Sequence, residues 1–176
     1  IEDYVSPLFY APNVSWLVQR NGMHPRHSLM ISLNASEGNH MHANGISMEL
    51  YGKGYVLGPD AGIGLYLYSG LDYAEYYSQF PSHNTVCVDG ISSYPVMKSN
   101  HSFDLLSCFP ASSAAAAAKD KFPSVTYSDV YFREPESRAD QTRMMSIVTT
   151  GPETGYYVDI FRSRKERGGD KMHDYF

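Results

Sequence analysis

Turn signals cut this chain into runs too short for most helices. Asn21-Gly22, Gly52-Lys53-Gly54, Gly58-Pro59-Asp60, Asp89-Gly90 and Gly151-Pro152 are turn chemistry. The runs between them favour β structure. Val14 to Gln19, Ser28 to Asn34 and His42 to Tyr51 read as strands, and Tyr55 to Leu57 pairs back on the last as a hairpin. Asn84 to Val88, Ser102 to Phe109, Val125 to Phe132, Arg143 to Thr150, Gly155 to Arg162 and His173 to Phe176 continue the series. Ile46, Met48 and Leu50 alternate with Ser47, Glu49 and Tyr51, the period of a half-buried strand. Ile1 to Asn13, with Pro7 and Pro12, reads as an extended lead-in, and Tyr73 to Gln79 as a short helix. The alanine run Ala114 to Ala118 is too short for a stable helix and reads as a surface turn. The pattern predicts one all-β domain over residues 1–176: an antiparallel β-sandwich or stacked β-sheets.

A net charge of −5 argues against nucleic acid as the main partner. No apolar run is long enough for a membrane span, and no signal peptide is visible. The chain opens without an initiator Met, and both ends read as cut, so a piece of a larger protein is expected. Cys87 and Cys108 have no metal or redox spacing and are expected as buried thiols on neighbouring strands, with pairing in an oxidising compartment as the alternative. Fifteen tyrosines suit strands, and their flat rings also suit stacking on a sugar.

The chemistry is concentrated between Asn39 and Gly90. His40 and His42 form an H-x-H pair, and on an extended strand both imidazoles face one way. Asp60 follows a hairpin that returns the chain towards His42, and His83 precedes the next strand. Two imidazoles and a carboxylate make a zinc-type donor set. Taken singly, each has a plain structural reading: surface histidines, a turn aspartate after Pro59, a histidine bonded to backbone. Tyr66 and Tyr68 lie just beyond Asp60, where a phenol of lowered pKa would serve in proton transfer, although most tyrosines are packing residues. His24 and His27 flank Pro25-Arg26 and could line a groove; His101 and His173 read as structural.

The segments NHMHANGISMELYGKGYVLGPDAG and YYSQFPSHNTVCVDG resemble the heparinase II/III superfamily of polysaccharide lyases. The H-x-H, the D-x-G turn and the HNTVxVDG strand agree in order and spacing, and TGYYVDIFRS and HDYF extend the likeness. The resemblance implies a β-sandwich whose N-terminal (α/α) toroid partner is absent from this chain, with the active site in the cleft between them. It implies that His40 faces substrate as a catalytic group, with a proton-transfer tyrosine at Tyr66 or, second, Tyr68. It implies a structural metal on His42, Asp60 and His83, most often Zn²⁺, with Ca²⁺ or Mn²⁺ as alternatives. Asn39, Arg26 and Asn84 are the candidate substrate-binding residues.

The implied reaction is β-elimination on a uronic-acid-containing polysaccharide, glycosaminoglycan- or alginate-like. A base removes the C5 proton and an acid protonates the leaving oxygen at C4. The family's groups that neutralise the carboxylate come from the toroid, so the fragment is expected to be inactive alone. A periplasmic or secreted bacterial protein is expected.

Two other readings compete. A cupin also carries H-x-H, but wants a glutamate about four residues after the second histidine, and the nearest here is Glu49. A non-catalytic carbohydrate-binding sandwich would use the tyrosines as stacking platforms.

Overall fold

A computed structural model of the chain describes residues 5–35, 37, 43–62, 72–91, 101–111, 122–168 and 171–176. Asn39, His40, His42, Tyr66, Tyr68 and the run Ala114 to Ala118 lie outside the described residues. The described chain is nearly all antiparallel β, in three sheets. The first holds β1 (Leu8–Ala11), β2 (Trp16–Arg20), β3 (Leu29–Asn34), β4 (Ser47–Gly52) and β5 (Tyr55–Gly58), in that order. The second runs β10 (Thr154–Arg164), β9 (Asp140–Gly151), β8 (Val125–Arg133), β7 (Asp104–Phe109). A small third sheet pairs β11 (His173–Tyr175) with β6 (Val86–Val88).

The first two sheets form a sandwich because each offers one apolar face. Leu8, Leu17, Leu29, Ile31 and Leu33 from one side meet Val130, Phe132, Met145 and Ile147 from the other, all buried. Met48 and Leu50 close this core from β4, on the face their alternation predicts. The third sheet packs Val86 and Val88 against Ala139 and Phe161. No described helix is long and apolar enough to cross a membrane.

The departures from expectation are local. The lead-in contains β1, an edge strand bracketed by Pro7 and Pro12, where missing N–H groups cost no ladder bond. A 3-10 turn over Pro12–Val14 takes up Val14, so β2 starts at Trp16. The helix expected near Tyr73 is a single π-helical turn, Tyr73–Tyr77, followed by a 3-10 turn, Phe80–Ser82. The β4–β5 hairpin turns at Lys53 (φ 57°) and Gly54 (φ 82°), the left-handed pair that a two-residue loop needs to match strand twist.

The two cysteines are not on neighbouring strands. Cys87 lies on β6 in the small sheet and Cys108 on β7, the edge of the second sheet; both are free thiols. Cys87 is buried, and desolvation pushes its thiol pKa up, while Cys108 is only half-buried. A thiol reagent such as Ellman's is therefore expected to label Cys108 at least about tenfold faster than Cys87. Equal rates in native protein, read by peptide mass mapping, would contradict this placement.

Candidate functional site

The site is built where β5 ends. Pro59 stops the strand, and the Asp60 carboxylate turns back to accept a hydrogen bond from the Gly62 N–H at 3.0 Å. Both Asp60 oxygens lie 2.8 Å from His83 Nδ1. The His83 side chain is 0% exposed and that of Asp60 14%. An ionised carboxylate only accepts, so in this pair Nδ1 carries the proton.

His83 is held from both sides of the chain. Its N–H donates to the Phe80 carbonyl at 3.0 Å, closing the 3-10 turn, and its carbonyl accepts from Thr85 N–H at 2.8 Å. Phe80 is buried with Ala43 and Cys87, and Ala43 N–H donates to the Ser78 carbonyl at 2.9 Å. Gly45 (φ 58°) passes so close that a Cβ there would sit 2.5 Å from Thr85 Oγ1 and 3.0 Å from the Phe80 ring. The Gly45 backbone thus packs directly on the Thr85 and Phe80 side chains, which together with its positive φ requires glycine at position 45.

Asn84 fixes the next step. Its side-chain amide donates to the Met48 carbonyl at 2.7 Å and accepts from Met48 N–H at 2.8 Å. This imitates a ladder rung on β4, beyond the point where β5 stops pairing. Arg26 does not join this cluster. It is exposed on the turn before Leu29, which pairs with Gly52, whereas Asn34 pairs with Ser47 at the His83 end. Five strand rises separate the two ends, about 17 Å.

Arg143, which sequence reasoning passed over, anchors the arrangement. Its side chain is fully buried. Nε and Nη2 bind the Asp159 carboxylate at 3.0 and 2.6 Å, and Nη2 also donates to Tyr175 Oη at 2.9 Å. Nη1 donates to the carbonyls of Ile46 and Asn84, each at 2.7 Å, and to Asn84 Oδ1 at 3.2 Å. The guanidinium carbon lies 5.4 Å from the ring centre of Phe161, its cross-strand partner. A signal was present in the sequence. Arg143, Met145 and Ile147 share one parity, so an arginine stands in an inward row, and the adjacent strand carries Asp159.

Three of the described tyrosines with raised phenols, Tyr51, Tyr157 and Tyr175, are not poised for proton transfer. A hydrogen bond to Glu49, then burial, pushes Tyr51 up to about 12. Burial pushes Tyr157 up to about 12, and Tyr175 is raised mainly by burial. All three stay protonated at neutral pH.

For a metal, the donor types fit: one imidazole nitrogen and one carboxylate face each other in a largely dry pocket. Among the described residues no group of three or more His, Cys, Asp or Glu gathers. The 2.8 Å spacing is that of a direct hydrogen bond. Two ligands of one tetrahedral zinc stand about 3.3 Å apart, so an ion would need this pair to part by about half an ångström and Nδ1 to lose its proton.

Removing one partner of a buried, hydrogen-bonded ion pair leaves the others uncompensated. Arg143→Met is expected to destabilise the fold by about 3–5 kcal/mol, read from urea unfolding. Arg143→Lys keeps the charge but not the fork, and should still cost more than half of that. A loss below about 1 kcal/mol for Arg143→Met would deny the residue its anchoring role.

A family model described as Heparinase II/III-like, C-terminal, matches residues 6–158. An endo-acting ulvan lyase of Formosa agariphila is 29% identical over 144 residues, covering 77% of this chain and 17% of that protein. A solved heparinase III gene product superposes with a TM-score of 0.64 at 16% identity, covering 92% of this chain and 23% of the other, a likeness of fold. The chain thus spans about a fifth of the length of these relatives.

Proposed function

Since this chain belongs to the heparinase II/III-like family, matching its C-terminal domain, we propose that it forms the sandwich wall of the active site in a polysaccharide lyase that cuts a uronic-acid-containing polymer by β-elimination. The observation that carries this reading is the buried Asp60–His83 pair, locked at the sheet end where the chain enters β4. Ala43, which bonds to Ser78 and is buried with Phe80, whose carbonyl accepts from His83 N–H, follows His42 directly in sequence.

In this reading His40 faces the substrate, and Tyr66, or Tyr68 as second choice, moves the proton between C5 and the leaving oxygen. Both roles come from the family likeness. Asn39 and Arg26 are proposed to touch the polymer, with Arg26 on the turn at the opposite end of β3 from the His83 side and so on a distant sugar unit. Asn84 contributes first by fixing the backbone beside His83. His42, Asp60 and His83 would hold Zn²⁺, with Ca²⁺ or Mn²⁺ as alternatives. The ion would brace the wall and keep the histidine segment in register with the D-x-G turn. The groups that neutralise the uronate carboxylate would come from an N-terminal toroid, which makes this chain inactive alone.

Two measurements test the proposal. A protein carrying this chain with its toroid, incubated with ulvan, alginate, hyaluronan, chondroitin and heparan sulfate, should produce the ultraviolet absorbance of a C4–C5 unsaturated uronate. The rise should vanish in His40→Ala. No rise with any of the polymers would overturn the lyase reading. For the metal, this chain should hold about one zinc by elemental analysis and melt lower in chelator. A site at a hundredfold excess over Kd stabilises by about 2.7 kcal/mol. Asp60→Ala should abolish both the zinc and the chelator effect. A melting temperature indifferent to chelator in the unaltered chain would remove the metal from the proposal.

A further inference from the structure

The strands of the first sheet have a second face. Leu17 and Gln19 on β2 are buried inward, so Trp16, Val18 and Arg20 point the other way. On the same side stand Phe9 of β1, Met30, Ser32 and Asn34 of β3, and Glu49 and Tyr51 of β4, by register. Two depressions mark this face, of about 290 and 470 Å³. Both are lined by Arg20, Met30 and Tyr51, so they adjoin along one face, here called the groove. It runs from Trp16 and Asn34 to the turn at His24 and Pro25.

We propose that this groove binds an anionic polysaccharide, with Trp16 as stacking platform and Arg20 as the partner of a uronate carboxylate. The ligand class rests on the lyase reading; the groove and its residues do not.

Arg20 carries the argument. Its Nε is shielded from solvent and, among the described residues, has no hydrogen-bond partner. The hydrogen bond its head makes there to a side chain is from Nη1 to Met23 Sδ at 3.6 Å, a weak acceptor. Buried polar groups without partners are rare, and the shielded Nε–H of a half-buried guanidinium calls for an acceptor that a ligand would bring. Glu49, the carboxylate on this face, accepts from the Tyr51 hydroxyl, and among the described residues it forms no ion pair with Arg20. Partial burial also lowers the Arg20 pKa, and the group remains cationic.

Trp16 supplies the apolar half. It is 42% exposed. Its Nε1–H donates to Ser32 Oγ at 2.9 Å on the next strand, and Phe9 meets it edge-on at 6.0 Å. The indole is therefore tied in place, and a rigid aromatic surface binds with little loss of side-chain freedom. One cation, one fixed ring and the polar side chains of Ser32, Asn34, Glu49 and Tyr51 suit a sugar chain better than a protein interface, whose core is more continuously apolar. The groove also begins in the right place. Trp16 pairs with Asn34 and Asn34 with Ser47, one residue from Met48, whose backbone Asn84 holds beside His83. A polymer reaching the candidate site would have its next units along this face.

Trp16 is the single tryptophan of the chain, so its emission reports on the groove alone. Titration with tetramers of glucuronate, mannuronate and galacturonate should give a saturable blue shift with at least one. Cellotetraose, the counterpart of β-1,4-glucuronate with hydroxymethyl in place of carboxylate, should bind about tenfold more weakly or worse. Arg20→Gln should weaken uronate binding by about tenfold and leave the remaining affinity insensitive to salt. Should Arg20→Gln fail to fold by circular dichroism, Trp16→Ala, read by calorimetry, takes its place with the same expected loss. No saturable response to any uronate tetramer, or unchanged affinity in the variant, overturns the proposal. So does shielding of Trp16 from acrylamide before sugar is added, which would mean that a second copy covers the face. Binding is read without turnover. A lyase with a silent Trp16 defeats the groove alone, and saturable binding without unsaturated product defeats the lyase reading alone.

Discussion

Arg143 is a full positive charge placed where all three sheets meet, and much of the rest follows from satisfying it. Its carboxylate partner, Asp159, comes from the neighbouring strand of its own sheet. Its carbonyl partners, Ile46 and Asn84, sit on the approaches to β4 and β6. Its phenol partner, Tyr175, belongs to the small third sheet. A buried ion pair adds little net stability over well-packed apolar groups, because desolvation offsets most of the attraction. What it adds here is geometry. The carbonyls of Ile46 and Asn84 need donors at one point in space, and only one register of the sheets provides them.

That constraint reaches the candidate site through short chain segments. Asn84 follows His83 directly, and its amide grips Met48 while its carbonyl accepts from Arg143. Ile46 follows Gly45, which packs on Thr85 and Phe80. The segments flanking the Asp60–His83 pair are therefore fixed from beneath by the sandwich. The pair itself needs no long side chains and little conformational freedom, which suits a rigid wall on which a substrate or an ion is to be positioned.

The first sheet serves two surfaces at once. Its inward rows are aliphatic and build the core with the second sheet. Its outward rows mix the apolar Phe9, Trp16, Val18 and Met30 with Arg20, Ser32, Asn34, Glu49 and Tyr51. Alternation along each strand makes the division sharp, since a slip of one residue would exchange the two sets.

The class of the fold is legible in the amino-acid order, because turn dipeptides and strand alternation are local signals. β3, the β4–β5 hairpin and the long β8, β9 and β10 are legible in it, as are the inward Met48 and Leu50. Motif spacing likewise named Asp60 and His83, whose contact is described, while their expected companions His40 and His42 lie outside the described residues. Tertiary structure alone decided what lies far apart in sequence. β1 became a strand because β2 and the core were there to receive Leu8. Cys87 and Cys108 were separated onto different sheets. Asn84 was drawn into a rung with Met48, and Arg143 was placed between segments some sixty and a hundred residues away. The physical reason is that periodicity says which way a side chain points but not what waits on the other side. Hydrogen-bond partners across sheets are set by how the sheets stack.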